Sequence, residues 1–142
     1  APWPPPPSYR DEVAAVLTML RRGLPDVACL LTGPYPVGYP HDDGSVVREA
    51  ESAQVIGDYQ RQTAEAAGCT FLDRYRLAGG APAAKRWVAT RPKILTGDYL
   101  HLTVEGSNRM GRAIADVILA SYDGVALDAA ATFALDRREG DR

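Results

Sequence analysis

Two short apolar runs, residues 27–32 (VACLLT) and 69–73 (CTFLD), each follow a stretch of helical periodicity. The first has no polar alternation, the pattern of a strand buried on both faces in a parallel sheet. A helix followed by a strand, twice within 73 residues, implies repeated αβ units joined by right-handed crossovers. That order restricts the chain to the α/β class.

The first helix is expected to start at Ser8, with Asp11 completing a capping box in place of Glu. Val13, Val16, Leu17 and Leu20 then lie on one face. Arg21, Arg22 and Gly23 close it with a cationic last turn and a glycine stop. Residues 33–45 are rich in Gly, Pro and Asp and read as a loop. Loops leaving the C-terminal ends of parallel strands are where α/β proteins place their sites. A second helix is expected over about 46–67, with Val46, Ala50, Ala53, Ile56 and Ala64 as its stripe and Gly68 as its stop. Residues 74–97 read as irregular. The last helix begins near Val104, capped by Thr103, with Met110, Ala113, Ile114, Val117 and Ile118 on its apolar face. Residues 1–7 (APWPPPP) read as a proline-rich connector, a start that suits the middle of a longer polypeptide. Residues 123–142 read as a tail.

Composition narrows the function classes. A net charge of −2 leaves no basic footprint for nucleic acid. No apolar run approaches the roughly 20 residues of a membrane span. Two histidines, His41 and His101, are too few and too far apart for a metal site, so metal and cofactor are both expected to be absent. Cys29 and Cys69 each lie in an apolar segment; the favoured reading is two buried thiols, with a disulfide as the alternative.

The chemistry concentrates in the segment 98–106, DYLHLTVEG. A carboxylate at Asp98, three residues before His101 and just ahead of a helix, can reach one imidazole nitrogen. It would fix the tautomer and stabilise the imidazolium, leaving the other nitrogen to take a serine proton. General-base catalysis of this kind contributes roughly 10²–10⁴-fold. Asp-x-x-His alone has an ordinary alternative, a surface carboxylate beside a capping histidine.

DYLHLTVEG resembles the last conserved block of SGNH (GDSL-like) hydrolases. LLTGPYP (30–36) is similar to the strand and loop after that family's third block. FLDRYRLAGG (71–80), followed by Trp87, is similar to the polysaccharide and peptidoglycan O-acetylesterases of the superfamily. The resemblance covers about residues 8–120. It implies a flavodoxin-like three-layer α/β/α fold with a parallel sheet, of which residues 8–122 are the C-terminal half. It implies an ester hydrolase acting on O-acetyl groups of a carbohydrate, in an extracytoplasmic (periplasmic or secreted) location. Asp98 and His101 match the catalytic acid and base. The family's serine, oxyanion glycine and asparagine have no counterpart: Gly-Asp-Ser does not occur, and Asn108 lies in the last helix. The resemblance therefore implies a partner, an N-terminal segment of the same domain carrying those blocks. Ser45 and Ser107 follow glycines but read as loop and helix-turn residues.

Tyr35, His41 and Trp87 are candidate substrate contacts, the aromatics by stacking on a sugar ring, although packing and a solvated turn explain them equally simply. Arg74, Arg76, Lys85 and Arg86 read as solvated charges. Two other functions remain open: a non-catalytic carbohydrate-binding or assembly module that kept the acid–base pair, and a lipase or thioesterase on the same scaffold.

Overall fold

The computed structural model describes residues 8–40, 43, 47–49, 51–80 and 82–122. The expected connector (1–7) and tail (123–142) lie outside them. The described residues form two compact units, one within Ala1–Tyr35 and Ala50–Tyr75, the other within Pro36–Glu49 and Arg76–Arg142.

The first unit holds α1 (Tyr9–Gly23), β1 (Leu30–Thr32), α2 (Glu51–Ala66) and β4 (Thr70–Leu72). β1 and β4 pair in parallel, Leu30 opposite Thr70 and Thr32 opposite Leu72, which makes the fold α/β as the alternating elements required. Acidic Asp11 and Glu12 sit in the first turn of α1 and Arg21 and Arg22 in its last, matching the helix dipole. The expected capping box does not form: the Ser8 side chain makes no cap hydrogen bond, its backbone being already helical. Of the expected stripe, Leu17 is buried and Val13 partly so, packed with Ala64, Cys69, Leu31 and Phe71, while Val16 and Leu20 are exposed. Nor is the first strand buried on both faces. Leu30 is 42% and Val27 52% exposed, and β1 pairs with β4 alone among the described residues.

α2 begins at Glu51 rather than near 46. Residues Val47–Glu49 instead form β3, which pairs antiparallel with β2 (Gly38–Pro40) inside what read as a loop. A β-branched start to that segment suits the strand. Gly68, with φ +67, ends α2 as expected, and the Cys69 N–H returns to the Ala64 carbonyl across it. The Arg21 guanidinium fastens this turn to the segment before β1, donating from Nε to the Ala67 carbonyl (3.0 Å) and from Nη1 to that of Val27 (2.7 Å).

The reading of two free thiols is overturned: Cys29 and Cys69 form a disulfide. Each immediately precedes a strand, and the register that places Leu30 opposite Thr70 brings the two residues before them side by side. The bridge joins positions 40 residues apart, so loop-closure entropy makes it worth about 4 kcal/mol. Urea unfolding of a Cys29→Ser/Cys69→Ser variant is expected to show a loss of about 3–4 kcal/mol. A midpoint equal to that of the parent chain would mean that the bridge does not constrain the unfolded state.

The second unit contains β2, β3, α4 (Ala83–Ala89) and α5 (Val104–Tyr122); the short α3 (Arg74–Leu77) carries the chain into it. Residues 74–97 are thus partly helical rather than irregular. Gly79 and Gly80, both with positive φ, separate α3 from α4. Trp87, Ile94 and Leu95 are fully buried, with Ala83, Ala84, Met110, Ala113 and Val117 also in the core. The Trp87 carbonyl accepts the Ile94 N–H (3.0 Å) and the Leu95 N–H (3.4 Å), tying the segment before the Asp98 loop to α4. Among the described residues no helix is long and apolar enough to cross a membrane.

Candidate active site

Asp98 and His101 lie in a short loop closed by an antiparallel bridge between Leu95 and Leu102. The Thr96 N–H donates to the His101 carbonyl (2.8 Å) and the Tyr99 N–H to the Thr96 carbonyl (3.1 Å). Tyr99 takes the left-handed conformation (φ 61) needed to reverse the chain so tightly. Its carbonyl accepts the Gly38 N–H (2.9 Å), which fastens β2 to the loop.

On the other side, the loop is anchored by the start of α5. Thr103 caps that helix as expected, its hydroxyl accepting the Gly106 N–H (3.0 Å). The same hydroxyl donates to the Lys93 carbonyl (2.5 Å), and the Thr103 N–H donates to the Ile94 carbonyl (2.9 Å). Gly106 is buried against that strand-like segment: a Cβ there would lie 2.0 Å from the Ile94 carbonyl oxygen. The first turn of α5 and the stem of the Asp98 loop are therefore in backbone contact.

Within this frame the two oxygens of Asp98 have separate partners. Oδ1 accepts the Leu100 N–H (2.9 Å), the His101 N–H (3.1 Å) and the Thr96 hydroxyl. Oδ2 meets His101 Nδ1 at 2.7 Å. The contact with His101, then the Thr96 hydroxyl, then the two backbone donors hold the Asp98 carboxyl well below the usual carboxylate range. The pair is open to solvent, the His101 side chain 71% and the Asp98 side chain 50% exposed. Nε2 of His101 makes no hydrogen bond among the described residues. The arrangement can hold Nδ1 protonated against a carboxylate and present a basic Nε2 to an incoming hydroxyl.

No described serine bonds to His101. Ser107 sits in the first turn of α5, its N–H bonded to the Thr103 carbonyl, and Ser45 lies outside the described residues. Among the described residues no cluster of three or more His, Cys, Asp or Glu is placed to hold a metal ion.

The other candidates fare differently. Trp87 is wholly buried in the core, so it cannot stack on a sugar; its apolar bulk makes it a packing residue. Tyr35 is half-buried in the first unit, with the Arg74 guanidinium 5.5 Å above its ring. His41 lies outside the described residues. Arg74 is not a solvated charge: it is half-buried, donates from Nε to the Gly33 carbonyl, and burial lowers its pKa. Arg86 is exposed, as a solvated charge should be, and its Nη2 also donates to the Ala78 carbonyl at 3.2 Å. Two residues of the site escaped the sequence reading. Thr96, two positions before an aspartate, has the local signature of a side chain that bonds nearby backbone and carboxylate. Gly106, in a first helical turn where glycine is disfavoured, signals a close approach.

No known protein family matches the chain, and no curated protein matches it. A solved structure of a peptidoglycan O-acetylesterase in action, at 5 min, superposes with a TM-score of 0.70 at 18% identity. The match covers 82% of this chain and 32% of that one. At this identity the likeness establishes an esterase-like α/β fold, and the chain spans about a third of the length of its neighbour.

Proposed function

We propose that residues 8–122 are the C-terminal half of an SGNH-type serine esterase domain, with Asp98 and His101 as its catalytic acid and base. The observation that carries this reading is the division of labour at Asp98: Oδ1 is occupied by the loop, and Oδ2 alone faces Nδ1 at 2.7 Å. A surface ion pair formed by chance has no need of such an arrangement. The substrate class is an O-acetylated carbohydrate, by analogy with the peptidoglycan O-acetylesterase whose fold the chain shares. A serine attacks the acetyl carbonyl, His101 Nε2 takes its proton, and Asp98 orients the ring. His101 then returns the proton to the leaving sugar oxygen, and water releases acetate by the same route. The disulfide suits an extracytoplasmic enzyme.

The serine and the oxyanion donors come, in this reading, from a further segment of the same domain. Among the described residues β1 pairs with β4 alone. Cys29 and Gly33 direct their backbone groups to β4, so by parallel alternation those of Leu30 and Thr32 face the opposite edge. Leu24, Val27 and Leu30 are exposed, and a strand from the companion segment would pair with that edge.

The test uses the longer protein, or this chain co-expressed with the companion segment. A serine-reactive phosphonate probe should label the assembly, and His101→Ala should abolish labelling together with acetate release from acetylated sugars. Acetylated sugars should be better substrates than long-chain acyl esters. An assembly that binds glycan yet never labels would identify a binding module that kept the acid–base pair.

A further inference from the structure

We infer that Thr96 is a positioning residue: its side chain fixes the plane of the Asp98 carboxylate so that one oxygen faces the imidazole. The inference rests on reading Asp98 and His101 as an acid–base pair, and goes beyond it by naming what holds that pair in register.

The argument starts from the stem of the loop. Ile94 and Leu95 are fully buried, and Leu95 is bridged to Leu102, so the backbone entering Thr96 is fixed by the core. Thr96 then contacts both members of the pair. Its N–H holds the His101 carbonyl at 2.8 Å, and its hydroxyl contacts Asp98 Oδ1. The hydroxyl has a single proton and two acceptors within reach, Oδ1 and the more distant His101 carbonyl at 3.1 Å. The charged and nearer acceptor wins, because a hydrogen bond to an ionised oxygen is about twice as strong as one to a neutral carbonyl.

Without that hydroxyl, Oδ1 keeps two backbone donors, Leu100 N–H and His101 N–H, both from the residues that follow the turn at Tyr99. Thr96 is the donor anchored to the buried stem. Its loss frees the carboxyl to rotate about its last bond and to offer Nδ1 a displaced partner. The two side chains are largely open to solvent, His101 71% and Asp98 50% exposed, so packing does little to restore the geometry.

Thr96→Val removes the hydroxyl at nearly constant shape, and Thr96→Ser keeps it. Carbon-13 NMR titration of the Asp98 carboxyl in the full chain reads the contact directly, whether or not the chain has a nucleophile. The carboxyl of the parent lies well below the ordinary range, with Thr96 the second cause after His101. In Thr96→Val it should titrate measurably closer to the ordinary value; in Thr96→Ser it should stay with the parent. Should Thr96→Val fail to fold, Thr96→Ala gives the same reading. An Asp98 titration identical in Val, Ser and parent chains overturns the inference. In the assembled enzyme, Thr96→Val should lower kcat about tenfold, the size of one charge-assisted hydrogen bond, with KM unchanged and Ser restoring the rate. A shifted titration in an assembly that has no esterase activity at all would retain Thr96 as the positioning residue and reject the esterase.

Discussion

Asp98→Asn is expected to lower turnover of the proposed esterase assembly by about 10⁴-fold, with little change in KM. The magnitude follows from where the amide must point. Three donors converge on the position of Oδ1: the Thr96 hydroxyl, Leu100 N–H and His101 N–H. An asparagine can satisfy them only with its carbonyl oxygen there, which leaves its NH₂ at the position of Oδ2, 2.7 Å from His101 Nδ1. An NH₂ can only donate. Nδ1 must then be the acceptor, so the neutral ring carries its proton on Nε2, the nitrogen required to be the base. The side chain keeps its shape while the tautomer is inverted. Nitrogen-15 shifts of the His101 ring report the tautomer, and acetate release reports the rate. Turnover within a few-fold of the parent would remove Asp98 from the acid–base pair.

The same contacts set a pH dependence whose sign is fixed. The folded Asp98 carboxyl lies below its ordinary value of 3.8. Its ordering of the loop is therefore complete above that value and is lost only as pH falls through the lower, folded one. Asp98 itself thus stays ionised and available to His101 throughout the range in which an imidazole can act as a base.

Gly106→Ala is expected to destabilise the chain by about 3 kcal/mol or more, at the upper end of what overpacking costs. The added methyl would lie 2.0 Å from the Ile94 oxygen, 2.9 Å from its carbonyl carbon and 3.2 Å from its Cα. These are backbone atoms of a fully buried residue, and the same carbonyl already accepts the Thr103 N–H. No side-chain rotation relieves the clash, so α5 must move away from the stem of the Asp98 loop. Gly111 supplies an internal control. It lies on the same helix with nothing within 4 Å of an added Cβ, so Gly111→Ala should stabilise by about 0.5–1 kcal/mol through helix propensity. Denaturant unfolding of the two variants should give opposite signs. Equal small effects would mean that α5 and the segment at Ile94 are not in backbone contact.

Much of the candidate site is legible in the sequence because its parts are close along the chain. Asp98 and His101 are three residues apart, and Thr103 caps the helix that begins one residue later. Such contacts depend on the backbone of a single turn, which composition and spacing describe well. Trp87 stayed open between ligand contact and packing for the opposite reason. An aromatic in a segment without periodicity has the same local signature whether it faces a ligand or the core, and only the packing around α4 distinguishes them. Tyr35 and Arg74 illustrate the same limit, since their stacking joins the residues that follow two strands adjacent in the sheet but 40 positions apart in the chain.

By itself, then, the sequence determined the two helix–strand repeats, the glycine stop of α2, the cap of α5 with Met110, Ala113 and Val117 of its buried face though not the exposed Ile118, and the carboxylate–imidazole spacing. Tertiary structure alone decided that the cysteines pair, that Val47–Glu49 joins β2 instead of α2, and that Trp87 is buried in the core. The division is physical. Periodicity and capping are settled among neighbours a few residues apart, whereas register, burial and the partners of a polar atom are settled by whichever distant segments the folded chain brings alongside.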